Sequence, residues 1–129
     1  MIEVGAMIRR DIKVDGGRAI SFMGPDLRVY STPSILSDIE FACRDLLLSV
    51  LEVGQDSVGS HVSLDHVGAV VLGGTATVAA NISKLEKRRV TFEATVSADQ
   101  REIARATHVR TIVIVSELKT RIAQLSSKE

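Results

Sequence analysis

Thr32, Glu40 and His66 are the side chains of this sequence whose types and spacing are best suited to chemistry. Glu40 lies in line with Cys43 on the apolar stripe of a predicted helix, where a carboxylate must be paired, protonated or functional. Thr32 stands at the start of the same helix, and His66 shares one face of a predicted strand with Leu64, which directs the imidazole towards the helix. A hydroxyl, a carboxylate and an imidazole that face one space have the parts of an acyl-transfer site.

Each of the three residues also has an ordinary structural interpretation. A threonine before a proline can simply cap a helix, and a histidine on an inward strand face can be satisfied by a backbone carbonyl. Glu40 can form a buried structural ion pair with an arginine. The chemical interpretation therefore depends on whether the fold brings Thr32, Glu40 and His66 together, and the sequence leaves open whether they meet within one chain.

A long helix over residues 31–53 must position two of the three residues. Thr32 is its predicted N-cap, and Pro33 suits the first helical position. Three acidic residues stack on one side at about 100° per residue, which predicts a solvent-exposed side: Asp38, Asp45 and Glu52. The opposite side predicts a buried face: Ile35, Leu36, Ile39, Ala42, Cys43, Leu46, Leu47, Val50 and Leu51.

Five strands with short turns account for most of the remaining chain. Alternation of apolar and polar residues predicts strands over residues 7–15, 57–67, 75–85, 90–98 and 103–115. The helical spacing of Leu118, Ile122 and Leu125 predicts a short surface helix over residues 117–125. The irregular residues 18–30 are interpreted as a lid or a packed loop. One buried helix against one antiparallel sheet is an α+β arrangement in which the sheet wraps around the helix, the hotdog fold. Exposed sheet edges predict a homodimer, with further association into a tetramer left open.

The composition excludes several other classes of protein. A length of 129 residues predicts a single domain over 1–129, with a core of its own. The balance of 16 basic and 16 acidic side chains and an aromatic content of 3% argue against nucleic-acid binding. The single cysteine, Cys43, excludes an intrachain disulfide and a cysteine metal cluster, and no metal site is predicted. Without a signal peptide or a membrane span, we expect a cytoplasmic protein.

Residues 28–115 resemble the fluoroacetyl-CoA thioesterase-like branch of the hotdog superfamily. The resemblance begins with S-T-P and Glu40 on the helix and continues with VGSHVSLDH, which ends at His66. It then covers KLEKRRVTFEATVSADQREIARATHVRTIVI, including a T-H-x-R element. The spacings among Thr32, Glu40 and His66 match the family's threonine–glutamate–histidine triad without a gap. The resemblance therefore implies that these three residues are the catalytic set.

The resemblance also implies two substrate-binding residues. Gly59 corresponds to a glycine whose backbone approaches the acyl group, and Arg110 corresponds to an arginine that contacts the substrate. A strand glycine is otherwise typical of a bulge or a close approach, and Arg110 can instead form an ion pair, with Glu40 as one candidate. Four basic residues around one predicted turn either attract the phosphates of coenzyme A or form an ordinary solvated turn: Lys84, Lys87, Arg88 and Arg89.

The leading hypothesis is an acyl-CoA thioesterase that needs no cofactor, with coenzyme A as part of its substrate. Glu40 would act as nucleophile or general base, Thr32 would orient it or the carbonyl, and His66 would protonate the departing thiolate or activate water. One alternative is a hotdog module that binds an acyl-CoA without hydrolysing it. The other is a hydratase or dehydratase, whose usual acid–base motif is absent from the sequence.

The segment before the helix bears on the acyl group. The aromatic-rich lid of the fluoroacetate-specific pattern is represented here only by Phe22, Met23 and Leu27. A short or medium acyl group is therefore predicted rather than a fluorinated two-carbon group.

Overall fold

The computed structural model describes residues 1–127 and contains one antiparallel sheet wrapped around one long helix. In chain order the elements are β1 (Met7–Lys13), a short 3-10 turn (Pro25–Leu27), α1 (Thr32–Leu48), β2 (Gln55–His66), β3 (Thr75–Glu86), β4 (Arg89–Ala98), β5 (Arg101–Ile114) and α2 (Val115–Ser127). The strands lie side by side in the order β1-β3-β4-β5-β2, and every neighbouring pair is antiparallel. The predicted α+β architecture is confirmed.

The core lies between α1 and the concave face of the sheet. Its fully buried side chains alternate along β3 and β4 and recur at helical spacing along α1, as expected for elements that each bury one face. The largest are Tyr30, Ile35, Ile39, Leu47, Ile82, Phe92 and Ile103. Cys43 belongs to this core, and burial raises the pKa of its thiol to about 12. Both sheet edges, β1 and β2, carry backbone groups without a neighbouring strand.

Helix α1 is shorter than predicted and begins one residue later. Ser31, not Thr32, is the N-cap, because its hydroxyl accepts a hydrogen bond from the Ser34 N–H at 3.1 Å. Thr32 is thus the first helical residue, and its side chain does not serve as the N-cap. The helix ends at Leu48 rather than at residue 53, since the Val50 N–H bonds to the carbonyl of Leu47 and tightens the last turn.

The prediction that Asp38 faces solvent is wrong. Asp38 is only 7% exposed, and its carboxylate accepts two hydrogen bonds from the Arg18 guanidinium, at 2.9 and 3.0 Å, and one from the Tyr30 hydroxyl. Residues 14–31 pack across this side of α1 and bring both partners with them, and Tyr30 itself is fully buried. Burial and the hydrogen bond to Asp38 raise the pKa of the Tyr30 hydroxyl far above its ordinary value.

We expect Asp38→Ala to lower the free energy of unfolding by about 2–3 kcal/mol, because it leaves the buried Tyr30 hydroxyl without its partner and removes two hydrogen bonds of the partly exposed Arg18 guanidinium, which keeps Asp15. Asp45→Ala is the matched control on the same helix, since Asp45 makes one half-exposed ion pair with Arg10 at 3.0 Å. Such a pair contributes about 0–1 kcal/mol. Urea unfolding of the two variants measures the difference, and equal losses would contradict the buried role of Asp38.

Strand β2 contains a β-bulge beside Gly59, one of the two features that a strand glycine indicates, although the strict alternation of residues 57–67 gave no sign of it. Its pairing with β5 shifts between Gly59 and His61, so that Ser60 is the additional residue. Gly59 and His66 are an odd number of positions apart and would lie on opposite faces of a regular strand. The bulge restores them to the same face, towards α1. Regular alternation would place Val58 on the same face as His66, and the bulge turns it to the other face.

The terminal helix α2 lies on the surface, as predicted, although it is longer than residues 117–125. None of its residues is buried, and Ile122 and Leu125 are each more than half exposed. Within residues 1–127, no helix is long and apolar enough to cross a membrane.

Candidate active site

Thr32 and His66 meet at the N-terminus of α1. The Thr32 hydroxyl oxygen lies 2.7 Å from Nδ1 of His66, so the predicted contact between the helix start and the end of β2 is present. Within the described part of the chain, Nδ1 is the only His66 ring atom with a hydrogen bond. Nε2 is therefore left for a proton transfer, and the hydroxyl holds the ring in one orientation.

Glu40 lies against the backbone of Gly59, on the same helix but away from Thr32. A methyl group added at Gly59 would overlap the Glu40 Oε2 atom and would also lie 3.2 Å from Cε1 of His108. Only glycine leaves the space that this carboxylate occupies. The Glu40 side chain is 45% exposed, so it is a carboxylate at the mouth of a cleft rather than a fully buried one.

Arg110 lies behind Glu40 and is almost completely buried, with 4% of its side chain exposed. Its Nη1 atom is 3.4 Å from the Glu40 Oε2 atom, so the ion pair considered from the sequence is present. Nε donates to the Ser57 hydroxyl at 2.7 Å, and Nη2 donates to the Ser57 carbonyl at 2.8 Å. Burial lowers the pKa of the guanidinium from its ordinary value, and the Glu40 charge opposes that shift.

His108 is a member of this cluster that sequence reasoning did not identify as a site residue. It is 2% exposed, and it lies two positions before Arg110 on β5, so both side chains point to the same face. Its Nε2 atom is 3.2 Å from Nη1 of Arg110, and its Nδ1 atom is 2.8 Å from the carbonyl oxygen of His61. The T-H-V-R motif could have identified His108 as a site residue. Alternate residues of a strand point to the same face, so the histidine two positions before Arg110 lies beside it.

The five predicted site residues form two clusters within one chain: Thr32 with His66, and Glu40 with Gly59 and Arg110. The eight-residue step from Thr32 to Glu40 along α1 spans about 12 Å at 1.5 Å per residue. The seven-residue step from Gly59 to His66 along β2 spans about 23 Å at 3.3 Å per residue. No hydrogen bond or ion pair within residues 1–127 joins Glu40 to either member of the other cluster. Within one chain, Thr32 and His66 therefore contact each other but not Glu40.

Glu40 stands between two open clefts on the β2 side of the molecule. One cleft, of about 290 Å³, extends from Glu40 towards Phe41, Arg44 and Val58. The other, of about 270 Å³, extends from Glu40 towards Leu36 and Val62 and reaches His108. Arg44 forms a two-bonded ion pair with Asp56 at 3.0 and 2.6 Å, and that pair lowers the pKa of the Asp56 carboxyl.

The remaining candidates belong to neither cluster. Phe22, Met23 and Leu27, in and just before the 3-10 turn, are each more than half exposed. The basic residues of the β3–β4 hairpin are exposed, and Lys84 pairs with Glu86 at 3.2 Å. Residues 1–127 contain no group of three or more histidine, cysteine or acidic side chains arranged to hold a metal ion.

Comparisons with known proteins agree with this fold. A protein family described as fluoroacetyl-CoA-specific thioesterase, FlK, matches residues 14–116. The fluoroacetyl-CoA thioesterase of Streptantibioticus cattleyicolor is 24% identical over 130 residues, which cover 95% of this chain and 94% of that protein.

Solved structures show the same architecture. The structure of the fluoroacetyl-CoA thioesterase FlK superposes with a TM-score of 0.86 at 24% identity, covering 96% of this chain and 97% of the other. A hot-dog-like protein from Thermanaerovibrio acidaminovorans superposes with a TM-score of 0.87 at 22% identity, covering 94% and 90%. These likenesses confirm the predicted hotdog fold.

Proposed function

The chain belongs to the fluoroacetyl-CoA-specific thioesterase family, and from that premise we propose that it hydrolyses short- or medium-chain acyl-CoA thioesters with Thr32, Glu40 and His66 as catalytic residues. Family membership makes the protein an acyl-CoA thioesterase. The observation that carries the assignment of residues is the position of Glu40, a half-exposed carboxylate against the Gly59 backbone and in front of the buried Arg110.

In this proposal Glu40 acts on the carbonyl carbon of the thioester. It either takes a proton from a water molecule that attacks this carbon or attacks it directly, forming an anhydride that water then hydrolyses. The carbon–sulfur bond breaks, and the coenzyme A thiolate takes a proton from His66. Thr32, bonded to Nδ1 of His66, orients the imidazole so that Nε2 faces the leaving group. No cofactor takes part.

We propose that the active protein is a homodimer in which β2 lies at the interface. β2 is a long edge strand, residues 58–63 are exposed, and Phe41 and Val58 add apolar surface beside the Glu40 cleft. A long exposed edge with apolar neighbours favours pairing with a second copy. Association into tetramers and a cytoplasmic location stay predictions.

The two clusters of catalytic residues favour a site shared between subunits. Within one chain, Glu40 is about 12 Å along the helix from Thr32. A two-fold axis beside α1 reverses the partner helix, which brings the Thr32 end of one helix towards the Glu40 region of the other. We therefore propose that Glu40 of one subunit acts together with Thr32 and His66 of its partner on the same thioester.

The acyl group is proposed to enter the cleft beside Glu40 and Phe41. A volume of about 290 Å³ is at the small end of ligand-binding clefts and suits an acyl group of a few carbons. Phe22, Met23 and Leu27 are exposed and do not provide a closed aromatic cover. Selectivity for a fluorinated acyl group is therefore not part of the proposal.

The experiment that tests this function is a panel of acyl-CoA thioesters of increasing chain length, with free thiol measured by a colorimetric reagent. We expect thiol release to be fastest with short or medium chains. Tight binding without thiol release across the panel would instead identify a binding module and overturn the proposal.

We expect Gly59→Ala to lower kcat for acyl-CoA hydrolysis by about tenfold to a hundredfold, because the added methyl group displaces the Glu40 carboxylate. Gly16→Ala is the matched control, since a methyl group there meets no atom within 4 Å. Steady-state kinetics on both variants measures the effect. Full activity of Gly59→Ala would show that the position of the Glu40 carboxylate does not matter.

A further inference from the structure

His108 is a buried imidazole that the proposed mechanism does not use. Its side chain lies beneath Gly59 at the Glu40 cleft, and its ring stacks on Phe92 with a centroid separation of 6.3 Å and an interplanar angle of 28°. Both ring nitrogens have partners, one in the backbone of β2 and one on β5. A fully satisfied polar group in a protein core has a fixed orientation.

The two partners define the protonation state of the ring. The carbonyl oxygen of His61 can only accept, so the hydrogen lies on Nδ1 of His108. Arg110 can only donate, so Nε2 must offer its lone pair to Nη1. Burial lowers the pKa of His108, which maintains the neutral ring that this arrangement needs.

The bulge in β2 supplies the acceptor that orients the ring. It lies between Gly59 and His61, and the same irregularity that places Gly59 against Glu40 brings the His61 carbonyl to Nδ1 of His108. Bulges next to active sites commonly redirect groups in this way. The bulge therefore has two results: it leaves the space beside Gly59 that the Glu40 carboxylate occupies, and it orients the ring of His108.

Arg110 is consequently held from three sides. Ser57 accepts from Nε and Nη2, and His108 accepts from Nη1, the atom that also faces Glu40 at 3.4 Å. The guanidinium is planar, so the two bonds to Ser57 orient its Nε and Nη2 edge, and Nη1 is shared between His108 and Glu40. His108 adds the neutral acceptor that holds the Nη1 end in place beside Glu40.

We propose that His108 is a positioning residue for the hydrolysis, which acts by holding Arg110 in the orientation that places the Glu40 carboxylate beside Gly59. This inference rests on the proposed catalytic role of Glu40. His108 does not touch the reacting atoms and acts only through Arg110.

A double-mutant cycle tests the coupling between the two residues. We expect His108→Phe to lower kcat by about tenfold, with KM changed less than kcat. In an Arg110→Gln background, the same His108→Phe change should lower kcat by less than about twofold, because the group it positions is already gone. His108→Gln should recover most of the lost activity, since its side-chain oxygen offers Arg110 an acceptor.

Val96→Ala controls for a general loss of stability. Val96 is fully buried on β4 and pairs with Ala104, away from Arg110. We expect it to lower the melting temperature while kcat stays within about twofold of the unmodified protein. A loss of kcat in Val96→Ala equal to that in His108→Phe would overturn the positioning role.

The cycle is also measured on the free energy of unfolding in urea, which needs no substrate. Non-additive effects in both kcat and unfolding support the proposal. Independent effects on kcat overturn the positioning role while the proposed function stands, and independent effects on unfolding overturn the His108–Arg110 contact itself. Absence of any hydrolysis by the unmodified protein overturns the proposed function instead, and the unfolding cycle still reports on the contact.

Discussion

Glu40→Gln is expected to lower kcat for acyl-CoA hydrolysis by about 10²- to 10⁴-fold, the usual contribution of a general base or nucleophile. The amide has nearly the shape of the carboxylate and fits the space beside Gly59, but it neither takes a proton from water nor attacks a thioester. KM should change much less than kcat, because the cleft is retained. Steady-state thiol release with the best substrate of the panel measures both constants.

Asp45→Asn provides a closely matched control for this result. Asp45 is on the same helix, its side chain is 43% exposed compared with 45% for Glu40, and it also pairs with an arginine. The two substitutions therefore remove the same charge from similarly exposed positions, and only Glu40 faces the Gly59 backbone and a buried arginine. Unchanged turnover in Glu40→Gln, or an equal loss in Asp45→Asn, would remove Glu40 from the mechanism.

Mixing two inactive variants is expected to restore activity if the site is shared between subunits. One variant carries Glu40→Gln, and the other carries Thr32→Ala together with His66→Ala. A mixed dimer then has one site with all three residues intact and one site with none of them. Random exchange at equal concentration makes about half of the dimers mixed, so about a quarter of the unmodified activity should return.

A site within one chain gives the opposite result. Every chain in the mixture then carries a damaged site, and mixing restores nothing. The exchange is verified by size-exclusion chromatography and mass spectrometry of differently tagged chains, so that absent activity cannot be attributed to absent mixed dimers. Persistent inactivity in a verified mixture would overturn the shared site, although the individual roles of Glu40 and His66 would still stand.

Local patterns were sufficient for most of the fold. The spacing of apolar residues along residues 31–53 and the alternation along the five strands reflect backbone geometry that repeats every 3.6 or 2 residues, so the elements and their order follow from the sequence. The short connections after β3 and β4 require antiparallel neighbours in the sheet, as observed, whereas β2 pairs with β5 rather than with β3. The helix end was predicted too late because residues 49–53 continue the apolar pattern without forming helical turns.

Asp38 and β2 show where local patterns fail. Asp38 is on the polar side of an amphipathic helix by periodicity, and only the packing of residues 14–31 over that side reveals that Arg18 and Tyr30 bury it. The bulge at Ser60 changes the phase of β2 through pairing with β5, whose residues are about fifty positions away in the chain. Contacts between distant segments leave no periodic signal in either segment.

The sequence by itself determined which residues are candidates for catalysis and which elements carry them. Helical spacing identifies Glu40 as an unusual carboxylate, and the order of Thr32, Glu40 and His66 resembles the family triad. Only the tertiary structure decided how these candidates are grouped, because helix rise, strand rise and the bulge together place Thr32 with His66 and Glu40 with Gly59 and Arg110. Distances between side chains depend on how elements pack, which no single element encodes.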